Sequence, residues 1–342
     1  MKNKTARDIK VALCWLVVLL LMLASASCSR QEAAKSKGEV GADTGWLPGF
    51  LFSIDRKGEN NSKMSAPLGV AVSQGKVFVA NSGSGEVWVF DLTGRFLTSF
   101  AADLPRESAE PTRDISTKSY PVGVVLDEDE RLYVSDIQNR RIMFFDYGGQ
   151  FSGLFPGSPE QRSLLVKPVA LAYAGGKLYV TDIGDQSIKV FNRAGKLLNK
   201  FGQAGSAKGQ LLFPNGVAVA ENGTIYVADS NNSRVQVFGS GGKSLFSIRE
   251  ASKERLRLPR ALAIDSLDRL HVVDTLAQQV HVFDRKGKFL FSYGRRSGSA
   301  GSTKVGTDPE ELDLPIGIAV DKETRHIWIS DKGSNRVLVW EY

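Results

Sequence analysis

From about residue 46 onward, the apolar positions fall in short runs broken by Gly, Pro, Asn and Asp, and the runs recur in one fixed order. "PLGVAV" at 67, "PVGVVL" at 121, "PVALAY" at 168, "PNGVAV" at 214, "PRALAI" at 259 and "PIGIAV" at 315 open six units. Each unit then reaches Asn81, Asp136, Asp182, Asp229, Asp274 or Asp331, 14 to 16 residues after its proline. Nine residues further on stands Phe90, Phe145, Phe191, Phe238, Phe283 or Trp340. Five units place a glycine four residues after that aromatic (Gly94, Gly149, Gly195, Gly242 and Gly287) and close with a run such as "RFLTSF" or "KFLFSY". Runs rich in Val, Ile, Phe and Tyr between turn residues are strands, so each unit predicts four of them. One four-stranded sheet cannot bury both of its faces. Six arranged radially can, each packing on the next, and the fixed spacing predicts a six-bladed β-propeller.

The sixth unit ends at "SDKGSNRVLVWEY" and lacks the fourth run. "WLPGFLFSI" at 46–54 matches the missing piece, "GFLFSI" aligning with "KFLFSY". The N-terminal segment is therefore expected to complete the C-terminal blade and close the ring by hydrogen bonds, which removes an open pairing edge. Over residues 46–342 the pattern resembles the NHL repeat family. That resemblance implies an all-β propeller of NHL type with four antiparallel strands per blade. It also implies protein partners, because family members act in protein assemblies through the propeller.

The first 45 residues have a different character. Lys2, Lys4, Arg7 and Lys10 precede the apolar run Val11–Ala26, which is short for a membrane span and suits the core of a signal peptide. "ASASC" ends at Cys28 and resembles a bacterial lipobox, with Ser25 where Leu or Val is usual. The expectation is a signal peptide over 1–27, lipidation at Cys28, and a flexible polar tether over 28–45. Ser29 after the cysteine implies, by the same resemblance, an outer-membrane anchor facing the periplasm. Removal of 1–27 takes away four basic residues and Asp8, so a formal net charge of +7 becomes +4. Cys14 leaves with the signal. No disulfide, zinc–thiolate site or thiol nucleophile is expected in the mature chain.

The repeated Asp does not point to a metal. Six copies, one per blade, lie around a ring and cannot converge on one ion; an Asp at a strand end is expected to accept backbone N–H groups of the turn that follows. "DSNNSR" (229–234) opens like a calcium loop but lacks the sixth-position Gly and has Ser240 at position twelve. "GSGGKS" (239–244) ends like a phosphate loop but has Val237 where the first Gly belongs. The histidines His271, His281 and His326 occupy non-equivalent places in their repeats, and no G-x-S-x-G elbow occurs. No catalytic set, metal site or cofactor is expected.

Function in such a ring is expected on the inter-blade loops, of which 101–120 and 295–314 are long and polar. All six together carry 16 Lys and Arg against 13 Asp and Glu, too balanced for a nucleic-acid surface. One loop departs from that balance. "REASKERLRLPR" (249–260) carries Arg249, Lys253, Arg255, Arg257 and Arg260 against Glu250 and Glu254. The residue after each opening Pro, expected near the channel mouth, reads Leu68, Val122, Val169, Asn215, Arg260 and Ile316. The candidate ligand-binding residues are therefore Asn215, Arg260, Arg257 and Arg255. The expected function is a non-catalytic, envelope-tethered scaffold that binds an envelope protein through its loop face. The alternatives are a lyase or hydrolase using the axial channel, and a sensor of a small anionic ligand.

Overall fold

The structure, a computed structural model, describes residues 47–57, 62–103, 118–296 and 310–342. The expected signal peptide, Cys28, the tether and most of the two long loops lie outside the described residues. The described chain forms six four-stranded sheets. All strand pairs within them are antiparallel. Each innermost strand begins at a repeat proline: Pro67–Ser73, Pro121–Leu126, Pro168–Ala174, Pro214–Val219, Pro259–Ile264 and Pro315–Val320. Each touches the inner strands of both neighbouring blades, the sixth touching the first, so the six surround one axis.

The burial pattern follows from the radial packing. Second strands such as Leu132–Asp136 and Ile225–Asp229 are buried at every position, because neighbouring blades cover both faces. That is why these runs read as continuous apolar stretches. On the outer strands burial is partial, and Leu198 and Leu245 face solvent.

Ring closure takes the expected form. Gly49–Ile54 pairs antiparallel with Arg336–Glu341, setting Phe50 opposite Trp340 and Ile54 opposite Val337. Phe50 meets Trp340 edge-on at 5.7 Å, and Phe52 meets Trp328 at 5.9 Å. The two ends of the chain thus share one hydrophobic sheet.

Two features make the centre tight. In every blade the register of the inner strand slips just after the proline, so the next residue lies in a bulge. Two residues after the proline, Gly69, Gly123, Gly216 and Gly317 press on the carbonyl oxygens of Val122, Val169, Arg260 and Leu68 in the following blade, closer than any Cβ could come. Short elements that the repeat pattern did not predict occupy the inter-blade loops: hairpins Arg56–Lys57/Ser62–Lys63 and Glu250–Ala251/Glu254–Arg255, a parallel pair Arg295–Arg296/Glu311–Leu312, and the helical turn Pro159–Arg162.

Candidate functional site

The repeated Asn or Asp ends the second strand of its blade and marks what is called here the anchor end of the ring. All six are fully buried. Their role differs in part from the expected one. Asp136, Asp182 and Asp274 do accept N–H groups of the following turn, from Asn139, Gly184 and Ala277. All six also hold the loop that leads into their own blade. Ser65 N–H donates to Asn81 at 2.7 Å, Tyr120 N–H to Asp136 at 3.1 Å, and Lys167 N–H to Asp182 at 2.7 Å. Leu212, Leu258 and Leu314 N–H reach Asp229, Asp274 and Asp331 at 2.6, 2.8 and 2.8 Å. These bonds span about one strand pair of sequence and set the position of every inter-blade loop.

The buried carboxylates also select a base from the third strand. Arg141 lies 3.0 Å from Asp136, Lys189 2.7 Å from Asp182, Arg234 2.6 Å from Asp229, and Arg336 3.8 Å from Asp331. His281 stands 3.8 Å from Asp274, and its ring is pushed toward the neutral form chiefly by burial. Blade one differs. Its anchor is the neutral Asn81, and the residue paired with it is Glu86, which binds Lys57 at 3.3 Å and Trp88 Nε1 at 2.8 Å.

Hydroxyls beside the anchors tie blade to blade. Ser82 Oγ donates to Pro121 O at 2.5 Å, Ser230 Oγ to Pro259 O at 2.5 Å, and Thr275 Oγ1 to Pro315 O at 2.6 Å. In blades two and six the donor sits one residue before the anchor instead: Ser135 binds Val169 O at 2.5 Å, and Ser330 binds Leu68 O. The anchor end is consequently a rigid frame.

On that frame the candidate residues separate into two places. Arg255 and Arg257 line a groove of about 720 Å³ together with Arg249, Glu254, Leu256, Ser206 and the turn Asn231–Ser233 of blade four. Its walls are fixed: Ser233 Oγ donates to Arg257 O at 3.0 Å, Arg257 N–H to Asp274 at 2.7 Å, and Leu256 is buried. Among the described residues, Arg249, Arg255 and Arg257 have no carboxylate partner, and Arg255 and Arg257 are exposed.

Asn215 and Arg260 occupy bulges at the top of the inner strands of blades four and five. Asn215 donates its amide to Phe213 O at 3.0 Å and to Ser230 Oγ at 2.9 Å, so both its N–H groups are engaged in the frame. Arg260 has a buried Nε without a hydrogen-bond partner, and burial lowers its pKa. Lys332, the residue after the sixth anchor, is half-buried, and the sequence reading did not single it out. Burial first, and the Arg260 charge second, lower the Lys332 pKa. The residue following each anchor reads Ser82, Ile137, Ile183, Ser230, Thr275 and Lys332, and that column is the signal that could have found it.

The histidines serve the interior. His271 is fully buried between Asp265 at 3.0 Å and Tyr293 Oη at 3.1 Å, at the end of the blade opposite its anchor. Asp265 also takes Arg269 Nε at 2.6 Å. His281 bonds Ser292 at 2.7 Å, and His326 packs edge-on to Trp328. Among the described residues no three His, Cys, Asp or Glu side chains are grouped so as to hold a metal ion.

Comparison with known proteins agrees with this architecture. The NHL repeat family profile matches residues 211–238 and 312–340. The Drosophila melanogaster protein brain tumor is 31% identical over 128 residues, 36% of this chain and 12% of that protein. The Arabidopsis thaliana protein SUPPRESSOR OF QUENCHING 1, chloroplastic, is 27% identical over 188 residues, 47% of this chain and 18% of that protein. The chain thus spans less than a fifth of the length of either relative. Among solved structures, a catalytically inactive virginiamycin B lyase from Staphylococcus aureus with quinupristin superposes with a TM-score of 0.57 at 13% identity, covering 86% of this chain and 98% of that one. A streptogramin B lyase gives 0.54 at 15% identity, covering 81% and 93%. At such identity the likeness carries the fold alone. The chain carries NHL repeats and folds as a six-bladed β-propeller.

Proposed function

We propose that this propeller is a binding module that holds an acidic segment of a partner protein in the groove between blades four and five, and performs no chemistry on it. The observation that carries the reading is the set of three arginines, Arg249, Arg255 and Arg257, lining one groove without a carboxylate partner among the described residues. A guanidinium offers forked donors that suit a carboxylate, and a pair formed in a groove loses less to solvent than one on an open surface. The surrounding backbone is fixed by Asp274 and Ser233, so little ordering is required on binding. The interior residues Asp265 and His271 are engaged in structural bonds, Asp265 with both Arg269 and His271. The second half of the reading rests on residues 1–28: the module is tethered by lipid at Cys28 to the outer membrane, faces the periplasm, and meets a protein of the envelope.

The test is crosslinked capture from native envelopes, with tagged protein and Cys28 intact. Wild type and a rim control, Leu198→Ser, are expected to enrich one and the same envelope protein, less so as salt is raised. The triple variant Arg249→Glu, Arg255→Glu, Arg257→Glu is expected to lose it. Equal enrichment by the triple variant would refute the groove. Equal enrichment by Cys28→Ala would refute the need for the tether.

A further inference from the structure

We propose that the groove between blades four and five is an acid-enhanced binding site, which holds its acidic segment more tightly when His281, the side chain behind its Arg257 wall, is protonated. The inference rests on the groove reading above and adds a regulation to it.

Each aspartate anchor meets a base from the third strand of its own blade, five or seven residues further on. Blades two, four and six use Arg141, Arg234 and Arg336 at the fifth position, and blade three uses Lys189 at the seventh. Arginine and lysine side chains ordinarily carry a charge at any physiological pH. Blade five departs from that pattern at both positions, with Gln279 at the fifth and His281 at the seventh. Asp274 is fully buried, and among the described residues no arginine or lysine pairs with it. Its counter-charge is therefore present only when an imidazole carries a proton, and imidazole is the side chain that titrates near neutral pH.

The same carboxylate fixes the groove. Arg257 N–H donates to Asp274 Oδ2 at 2.7 Å and Leu258 N–H to Oδ1 at 2.8 Å, and Arg257 lines the groove with Arg249 and Arg255. His281 Nε2 lies 3.8 Å from that same Oδ2, too far for a hydrogen bond. On the other side of the ring, Nδ1 shares a 2.7 Å bond with Ser292 Oγ of the fourth strand, and Phe289 packs edge-on at 6.4 Å. One ring nitrogen is thus left to face Asp274. The charges that act on the ring are those of Asp274 and then of Glu254 in the groove loop, and both favour the protonated form. In the protein alone burial outweighs them and holds the ring below the ordinary value of 6.5. An acidic segment bound at Arg257 brings further negative charge to this corner. It favours the charged ring, so binding takes up a proton, and the affinity rises as pH falls below about 6.5.

Calorimetry of the full chain with a short oligo-aspartate peptide, at about pH 7.5 and about pH 5.5 and constant ionic strength, tests the regulation. Wild type is expected to bind about threefold or more tightly at the lower pH and to take up protons, read from the buffer dependence of the heat. Two substitutions at His281 copy what other blades carry at the same position: Gln236 in blade four donates to Asp229 at 3.1 Å, and Lys189 in blade three pairs with Asp182 at 2.7 Å. His281→Gln is expected to bind weakly at both pH values, and His281→Lys tightly at both. His326→Gln is expected to respond to pH as wild type does. Protonation of the probe itself would weaken binding in acid, the opposite sign. A wild-type affinity that stays flat or falls in acid, or a rise that survives in His281→Gln, overturns the inference and leaves the groove reading standing. Absence of wild-type binding at both pH values, or binding retained by the groove triple variant, overturns the groove reading and the inference with it.

Discussion

The two ends of the propeller use the same residue type in opposite ways. At the anchor end, Asp136, Asp182, Asp229, Asp274 and Asp331 are fully buried and bind loops 15 to 18 residues away in sequence, and most of them take a base from the next strand. At the turn end, aspartates accept N–H groups only two to four residues ahead, closing their own turns: Asp91, Asp146, Asp284 and Asp321 are not buried, whereas Asp127 and Asp265 close the same turns from buried positions. The first arrangement positions whole loops; the second shapes single hairpins. Loops fixed by buried anchors can vary in sequence without moving, and this is the end where the groove and Arg260, which has no ion pair among the described residues, lie. The frame and the candidate sites are thus on the same end for a physical reason: a long loop holds a defined shape only where something buried grips its base.

Opening the ring should produce the largest effect, since both ends depend on it. Deletion of Gly49–Ile54 strips Trp340 of Phe50 and Trp328 of Phe52 and exposes a pairing edge on Arg336–Glu341. The expected outcome is loss of cooperative unfolding for the entire chain, read by denaturant titration, with association of the product. A variant that melts as cooperatively as wild type would mean the sixth blade needs no closure.

The next effect compares the ends directly. Asp229→Ala leaves Arg234, which is 2% exposed, without its carboxylate, and removes the bond from Leu212 N–H. The expected loss is about 3–5 kcal/mol. Asp146→Ala at the turn end removes two N–H bonds, from Gly148 and Gln150, at an exposed site. There about 0.5–1.5 kcal/mol is expected. Denaturation midpoints of the two variants measure the contrast, and equal losses would abolish it.

Blade one sharpens the comparison, because it has the anchor without the charge. Asn81→Asp would bury a carboxylate opposite Glu86, with no arginine at the paired position. A loss of about 1–3 kcal/mol is expected. Adding Glu86→Arg, which copies the Asp136–Arg141 pairing of blade two, should recover part of it. No recovery in the double variant would show that the pair in the other blades contributes no stability of its own.

Much of this was legible in the chain. The constant nine-residue interval between anchor and aromatic, and the stray "GFLFSI" near the start, were enough for the blade count and for closure, because both are set by strand lengths that repeat. The target of the anchors was legible only in part. A spacing shows which residues are near in sequence, so Asp229 suggested the turn at 230–233, whereas its backbone bond to Leu212 crosses a whole strand pair. Two-residue ladders such as Glu250–Ala251 with Glu254–Arg255 are too short to carry a period. The arginines of 249–257 were visible as charge, but the opposite wall, Ser206 and Asn231–Ser233, comes from blade four and only folding brings it across. Lys332 was missed because the column after the proline was read and the column after the anchor was not.

The smallest effect is a pH dependence that the two ends share. His271 at the turn end and His281 at the anchor end are both held below the ordinary imidazole value of 6.5, chiefly by burial. In the unfolded chain both rings take up a proton as pH falls through 6.5, whereas the folded rings stay neutral until lower pH. The unfolded state then binds more protons, so the stability these rings contribute is fully present above that value and declines below it. Asp265, whose carboxyl is lowered while it accepts from His271 and Arg269, adds a loss of the same sign at more acid pH. Each histidine can contribute at most about 1.4 kcal/mol per pH unit. Denaturation midpoints between about pH 7.5 and about pH 5.5 should therefore fall for wild type, fall less for His271→Gln or His281→Gln, and least for the double variant. A wild-type midpoint that holds or rises over that range would mean the rings are charged in the folded protein. The carboxylates of Asp265 and Asp274 would then outweigh the cost of burial, and the two ends would meet acid in the same way despite building their aspartates so differently.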